Sequence, residues 1–401
     1  MSDISVIIPV VRPKGGRKAA AAALHNCGID RAQIEIIMDQ DLDGIGCPRM
    51  VNKLARKGRG RYVCFLGDDT EAEPGWLAAA LETMSALPDG WGLVGLNTDP
   101  GNPCAHWIAD RRMLPLFGGE WFHEGYRHNF CDTEIMDIAQ EHERWAWSAK
   151  AKIKHHHPAN GETPDTHNES ALNAWQQDRL LYMRRKRARV GLRLGICHPL
   201  VDPMIHNAMY MSMMAMEMPP DTKMYLPEMP HGPWGGSLAD ARNSLVHQAL
   251  MGGCTHILMA DTDQRYPVNT VTKLLSHDVD ICGALVCRRY QPFDPIMMRG
   301  RIGKYVHVED AEMDGGDLVE VDATGTGCLL IKAEVFDNLP EPWFKFDIHQ
   351  GRPVGEDIYF CSEARKAGHK IYVDTSIEVG HYGYREFTRI DYKLYKKMKG
   401  L

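Results

Sequence analysis

Thr255-His256-Ile257-Leu258-Met259-Ala260-Asp261-Thr262-Asp263 decides how this 401-residue chain is read. The apolar run has a buried strand's length, so His256 to Met259 reads as a strand whose acids emerge at its tip. In α/β sheets ligands sit beyond the carboxyl ends of the strands. Two acids at such a tip suit Mg²⁺ or Mn²⁺. These ions take oxygen from one or two carboxylates while substrate phosphates complete their shell. From the residues alone a second reading stays open, a pair of acids that cap a helix.

Ahead of this strand lie an opening strand near Leu194 to Cys197 and a helix, Leu238 to Met251, that carries Arg242 and Asn243. Behind it, Glu356-Asp357 follows Gly355 at a helix start. These acids offer a carboxylate to an acceptor hydroxyl, as a general base or a binding group, or they are ordinary helix N-terminal acids. A strand over Lys370 to Val373 and Asp374 precede Val379-Gly380-His381-Tyr382-Gly383, in which His381 is a third metal ligand or a core histidine.

The first half carries the same order. Ser5 to Val10 is an apolar strand closed by Pro13 and Gly15-Gly16, and Lys18 to Leu24 is an Ala-rich helix. Gln33 to Met38 (strand), Met50 to Arg56 (helix) and Arg61 to Leu66 (strand) follow, the last ending at Gly67-Asp68-Asp69. The alternation predicts a mainly parallel, doubly wound sheet. Asn52 and Arg61 to Asp69 parallel Asn243 and Thr255 to Asp263. Asp132-Thr133-Glu134 opens a helical run before His155-His156-His157, as Glu356-Asp357 does before His381. We read this as a duplication. Length also favours two domains. The expected bounds are 1–170, a helical connector at 171–190 after a polar loop at 159–168, and 191–401.

With 44% hydrophobic and 25% charged residues the composition is that of a globular protein, and no apolar run nears the roughly 20 residues of a membrane span. No basic segment precedes the first apolar run, so a cytoplasmic location is expected rather than a signal peptide. Eleven cysteines without CxxC pairs read as reduced core thiols. A net charge of -7 argues against a globally basic nucleic-acid binder. Met183 to Arg189 is locally basic, either a solvated helix face or a phosphate-binding patch. The methionine-dense stretch Met204 to Met229 reads as adaptable core packing.

Ala241-Arg242-Asn243 followed by Ile257-Leu258-Met259-Ala260-Asp261-Thr262-Asp263 resembles the family 2 glycosyltransferase pattern, an Arg-Asn helix leading to a hydrophobic strand and a DxD. Ser5 to Val10 resembles that family's opening strand, Asp39-Gln40-Asp41-Leu42-Asp43-Gly44 its nucleotide-binding acids, and Phe65-Leu66-Gly67-Asp68-Asp69 its metal motif. Ala323 to Ile331, Trp343-Phe344 and Gly355-Glu356-Asp357 resemble the acceptor-side segment of GT-A enzymes with a late metal-binding histidine.

The resemblance implies two tandem GT-A domains, Rossmann-like α/β units, and a metal-dependent enzyme moving a sugar from a nucleoside-diphosphate sugar to an acceptor hydroxyl. It implies Mn²⁺ or Mg²⁺ on Asp261, Asp263 and His381, and in the first half on Asp69, His155 and His157. Catalytic or acceptor roles fall to Glu356, Asp357, Asp132 and Glu134. Donor contacts fall to Asp39, Asp41, Asn52, Asp68, Arg242, Asn243, Asp261, Gly325 and Gly327. Two departures stand out: Asp68-Asp69-Thr70 replaces a spaced DxD, and the second half lacks a counterpart of Asp39 to Asp43.

The tandem style resembles phage-encoded glycosyltransferases, some of which modify hydroxymethylated DNA bases, which implies a host cytoplasm. The acceptor stays open between a modified DNA base, a glycan, a protein and a small molecule. The first domain runs a second transfer or serves for docking. A reading of a different class is a non-catalytic nucleotide- or carbohydrate-binding structural protein built from degenerate GT-A domains. A nucleotidyltransferase is disfavoured, since no Gly-rich phosphate loop with a basic residue follows the second half's first strand.

Overall fold

A computed structural model describes residues 3–98, 102–157, 166–199, 205–228, 236–316, 318–383 and 385–400, with side chains at 166–171 left aside. Most of the polar loop expected at 159–168, like Met204 and Met229, lies outside the described residues. The chain divides into two compact units, Met1–Tyr182 and Met183–Leu401. The division falls inside the helix Thr166–Val190, which contains the stretch expected as a connector.

The first unit runs β1 (Ile4–Val10), α1 (Pro13–His25), β2 (Ile34–Gln40), α2 (Cys47–Lys57), β3 (Tyr62–Phe65), β4 (Thr70–Ala72), α3 (Trp76–Ser85), β5 (Leu93–Asn97), β6 (Trp107–Asp110), α4 (Cys131–Glu141), β7 (Trp145–His155) and α5 (Thr166–Val190). Its sheet has the order β2-β1-β3-β6-β5-β7-β4. Alternate residues of β1, Ile4, Val6 and Ile8, pack with Ala19 and Ala23 of α1 and Trp76, Leu77 and Ala80 of α3. The period-2 exposure of a strand thus supplies one side of a core that the helices close.

The second unit opens with β8 (Arg193–Cys197), α6 (Asn207–Met214), β9 (Lys223–Tyr225), α7 (Leu238–Met251), β10 (His256–Ala260), β11 (Gln264–Arg265), α8 (Thr270–Ser276) and β12 (Ile281–Val286). Short elements follow: β13 (Met297–Arg299), β14 (Val306–His307), α9 (Asp310–Asp314), β15 (Leu318–Val321) and β16 (Ala323–Thr324). Then come β17 (Cys328–Lys332), α10 (Ala333–Asp337), β18 (Asp347–His349), β19 (Arg352–Val354), α11 (Glu356–Lys366), β20 (Ile371–Tyr382), β21 (Glu386–Phe387) and α12 (Arg389–Lys399). The main path of its sheet is β9-β8-β10-β17-β12-β20-β11.

Both units are α/β, and the seven strands of the first sheet match the main path of the second strand for strand, while β15 and β21 add to β20 in the second alone. In the first, β1 is parallel to β2 and β3, and β5 to β7, while β6 runs antiparallel between β3 and β5 and β4 lies antiparallel on β7. In the second, β8, β9, β10, β12, β20, β17 and β11 repeat every one of these directions. The parallel-rich sheet expected from the alternation therefore carries reversed strands: β6 or β17 beside the acid-bearing strand, and β4 or β11 at one edge.

Two local expectations change. Helix α1 starts at Pro13, where a missing N–H costs nothing, rather than at Lys18. Gly15 and Gly16 lie inside it because a Cβ on Gly15 would overlap the Asp68 carbonyl and one on Gly16 would stand 2.8 Å from Val10 Cγ2. They are there for close approach, not for a turn. Strand β20 also runs on past Asp374 to Tyr382, so His381 sits on a strand paired with β11. Of the methionines, Met209 and Met216 are buried whereas Met211, Met214 and Met224 are exposed, so core packing describes only part of that stretch. All eleven cysteines are free and all but Cys47 are buried. No described helix is long and apolar enough to cross a membrane.

Candidate active sites

In the second unit the tip of β10 is fixed by its neighbours. Asp261 N–H donates to the Gly327 carbonyl at 2.9 Å, and the Tyr266 hydroxyl lies 2.7 and 3.0 Å from the carbonyls of Asp261 and Gly327. A Cβ on Gly327 would overlap Gln264 Nε2 and stand 3.0 Å from Asp261 Oδ2, so any larger residue would have to displace the Gln264 side chain. From α7, the buried Arg242 donates through Nη2 to Asp261 Oδ1 at 2.9 Å and through Nε to Glu356 Oε1 at 3.3 Å. Burial works against its charge, but the two carboxylates more than offset this and raise its pKa.

Asp357 follows Glu356 in the first turn of α11. Its Oδ1 accepts from the Ile358 N–H at 2.7 Å. Burial, then the Glu356 charge, push its carboxyl up to about 6, into the range a general base needs. Asp263 accepts from Arg289 and lies 3.5 Å from His381 Nε2, while His381 Nδ1 lies 2.9 Å from the Cys287 carbonyl. Burial raises the Asp263 carboxyl, but His381 and Arg289 bring it below its usual value.

Arg242, Asp261, Asp263, Gly325, Gly327, Glu356, Asp357 and His381 line one cleft of about 990 Å³. Three further atoms there are buried without a hydrogen-bond partner: Arg242 Nη1, Gln264 Oε1 and Thr326 Oγ1. Buried polar atoms are normally satisfied, so a donor, an acceptor and a hydroxyl left open in one cleft mark a place for a polar ligand. Asp261, Asp263 and His381 do not converge as a three-ligand cluster among the described residues. Arg242 draws Asp261 one way and Arg289 holds Asp263 another.

The first unit has its own cleft, about 640 Å³, lined by Asp41, Asp68, Asp69, Asp132, His155 and His157 among others. Asp68 is turned to the end of β1: it accepts from the N–H groups of Val11 and Arg12 and from Arg12 Nη1. Asp69 Oδ1 lies 3.4 Å from His155 Nε2, with Arg12 Nη1 3.4 Å from its other oxygen. Burial raises its carboxyl, yet His155, His106 and Arg12 hold it well below the usual range. Asp132 accepts from Asn102 and the Thr133 N–H, both at 2.7 Å, and burial pushes its carboxyl up. Asp41 accepts from the Ile45 and Gly46 N–H groups.

Among the described residues, Asp39, Asn52, Glu134 and Asn243 do not line either cleft. Asp39 is paired with Lys53 and Lys57 of α2, and Glu134 is buried in α4. Asn52 donates to the Phe122 carbonyl at 2.7 Å and accepts from the Trp121 and Phe122 N–H groups. Asn243 does the same with Phe344, donating at 2.7 Å and accepting at 3.0 Å. Expected as donor-binding residues, both asparagines instead clamp a Trp-Phe segment to the helix ahead of the acid-bearing strand.

The correspondence between the two units can be followed atom by atom. His155 stands opposite Thr70 as His381 stands opposite Gln264. The Asp69 carbonyl accepts from His156 N–H at 2.9 Å, and the Asp263 carbonyl from Tyr382 N–H at 2.7 Å. Asp132 corresponds to Asp357, since each is the second residue of its helix and each accepts the next N–H at 2.7 Å. Glu134 then corresponds to Tyr359, and Glu356 to Cys131. The residue missed from sequence is His106, which joins Asp69 and His155 in a cluster of possible metal ligands. It stands alone just before β6, and only the β3–β6 pairing brings it near Asp69.

No family model matches the chain, and no curated protein matches it in sequence. Among solved structures, A197 from STIV is similar at 14% identity, over 48% of this chain and 86% of that one, with a TM-score of 0.34. The mannosyltransferase PcManGT from Pyrobaculum calidifontis, in complex with GDP-Man and Mn²⁺, is similar at 14% identity, over 46% of this chain and 63% of that one, with a TM-score of 0.37. S. aureus TarS 1-349 in complex with UDP-GlcNAc is similar at 11% identity, over 46% and 66%, with a TM-score of 0.33. The matched part is thus under two thirds of the mannosyltransferase and just under two thirds of the TarS fragment.

Proposed function

We propose that the second unit is a glycosyltransferase domain that moves a sugar from a nucleoside-diphosphate sugar to an acceptor hydroxyl, and that the first unit is a duplicated domain of the same kind. The observation that carries the reading is Asp357, with a carboxyl pushed up to about 6, lining one cleft with Asp261, Asp263 and His381. Three buried polar atoms of that cleft have no hydrogen-bond partner within the protein.

Two carboxylates and an imidazole are donors of a kind that suits Mn²⁺ or Mg²⁺, though Asp261 and Asp263 must turn from Arg242 and Arg289 to converge, and the Cys287 carbonyl on Nδ1 leaves His381 Nε2 facing Asp263. Asp261, Asp263 and His381 would hold the ion, which when bound neutralises charge growing on the leaving diphosphate. Arg242 orients Asp261 and brings a second positive charge to the same place. Gly327 keeps the chain close to Asp261 with no side chain in the way. Asp357 Oδ1 is taken by the Ile358 N–H, so Oδ2 takes the acceptor's proton in an inverting reaction, or accepts its hydrogen bond in a retaining one. Asp132 is the matching group for a second transfer in the first unit, which would make the protein bifunctional.

The test is nucleotide release from a panel of nucleoside-diphosphate sugars by the full chain with Mn²⁺. Loss of release in both Asp261→Ala and Asp357→Asn supports the assignment, and release that survives both sinks it. Sugar-nucleotide binding without release under any condition favours the non-catalytic reading.

A further inference from the structure

The first unit's cleft contains a constellation that the second lacks. Asp69 follows the tip of β3, His155 ends β7, and His106 precedes β6, so three separate elements converge on one point. One ligand atom from each lies within 4.8 Å of the other two. Asp69 Oδ1 and His155 Nε2 are 3.4 Å apart, the edge of a tetrahedron whose bonds are about 2.0–2.1 Å.

The rings are held in place by packing. His106 is stacked on Phe65 at 5.6 Å and stands edge-on to His155 at 4.7 Å, and His155 is stacked on His157 at 5.1 Å. Gly67 supplies the space. A Cβ there would stand 2.6 Å from Asp69 Oδ1 and 3.1 Å from His106 Nε2. Its φ is not in the left-handed region, so room beside the ligands, rather than backbone conformation, is what this glycine provides.

The second unit shows what differs. Phe65 pairs with Trp107 as Met259 pairs with Leu329, which places His106 where the second unit has Cys328, a residue buried in the core. The duplicated frame thus carries an imidazole in one unit and a core thiol in the other.

We infer that Asp69, His106 and His155 form a binding site for a divalent transition ion of the imidazole-preferring class, such as Zn²⁺ or Co²⁺, held without any nucleotide. Two imidazoles and one carboxylate favour such an ion over Mg²⁺, which seeks six oxygens and keeps its waters. Three protein ligands leave a position open to an exchangeable oxygen ligand from the cleft. The inference stands on the first unit alone and does not depend on sugar transfer.

The test is titration of metal-free full-length protein with Zn²⁺, Co²⁺ and Mg²⁺, without nucleotide, by calorimetry and by the visible absorption of Co²⁺. The expected result is one Co²⁺ or Zn²⁺ per chain, far weaker Mg²⁺, and more than about tenfold weaker Co²⁺ binding in His106→Gln. His381→Ala keeps this binding, which separates the site from that of the second unit. Gly67→Ala, a milder change, alters the Co²⁺ spectrum in protein whose circular dichroism is unchanged. A His106→Gln protein that binds Co²⁺ with the wild-type affinity and spectrum overturns the inference. So does Mg²⁺ binding as tight as Zn²⁺, or no transition-ion binding without nucleotide.

Discussion

His381 donates its Nδ1–H to the carbonyl of Cys287, 2.9 Å away. A carbonyl only accepts, so the bond fixes which nitrogen carries the proton, and Nε2 is the atom that faces Asp263 at 3.5 Å. The Cys287 side chain takes no part. Cys287→Ser is therefore expected to keep Mn²⁺-dependent nucleotide release, while His381→Ala loses it by about a hundredfold. Initial rates across a Mn²⁺ series check this, and equal rates in the two variants would remove His381 from the site.

The proposed role of Asp357 predicts a pH-dependent reaction. With its carboxyl at about 6, the fraction able to accept a proton grows as pH rises through that value. The ratio kcat/KM is expected to climb between pH 5 and 7, roughly one unit either side of the raised pKa, and then level off. Stability runs the other way. The folded state disfavours the ionised form, so its cost is absent below the ordinary carboxyl pKa and complete above about 6. Asp357→Asn removes that cost. Denaturant melts should show it more stable than wild type at pH 8, by about 3 kcal/mol, and no different near pH 3. A variant that is less stable at both pH values contradicts this account.

Asn52 and Asn243 should behave as structural residues. Each amide both donates to and accepts from the backbone of a phenylalanine far along the chain, Phe122 or Phe344. Truncation to alanine leaves those backbone groups unpaired, at a cost of about 1–3 kcal/mol each. Chemical denaturation of Asn243→Ala should register that loss, while donor KM, measured on folded protein, stays close to wild type. A large rise in KM with unchanged stability would restore the donor-binding role.

These asparagines show what the sequence could and could not disclose. The apolar run before Asp261, the helix carrying Arg242 and the repeat order are local patterns, and they placed β10, α7 and the α/β class correctly. An asparagine on a helix before an acid-bearing strand looks the same whether it faces a ligand or a loop 70 or 101 residues on; only the fold tells these apart. His106 was hidden for the same reason, since no spacing links it to Asp69 or His155. Pairing in the Asp132 and Asp357 helices depended on the helix start, where a one-residue offset exchanges Glu356 for Asp357. The helix starts and the matching hydrogen bonds from Thr133 and Ile358 N–H resolved it.

Gly327 lies where a methyl group would collide with Gln264 and crowd Asp261. Gly327→Ala should displace Gln264, whose Oε1 is one of the three unpartnered atoms of the cleft. Donor affinity should fall, and the denaturation midpoint with it, because Gln264 is a buried residue of a two-residue strand. Calorimetry with the cognate sugar nucleotide checks this, and unchanged affinity would separate Gln264 from the donor.

Arg242 is the residue on which the second site most depends. It links Asp261 and Glu356 from within the protein, and the residue is 2% exposed. Removing one member of such a cluster strands the others without a counter-charge, which costs about 3–5 kcal/mol. Arg242→Met should therefore lower the urea midpoint sharply at pH 8. The deficit should shrink toward pH 5, because carboxylates left in poorly solvated surroundings take up protons as pH falls. Arg242→Lys keeps the charge but not the planar fork that reaches both acids, so it should recover part of the stability and little of the activity. Equal activity in the lysine variant and wild type would mean that Arg242 supplies charge alone, and that its two-pronged geometry does not orient Asp261.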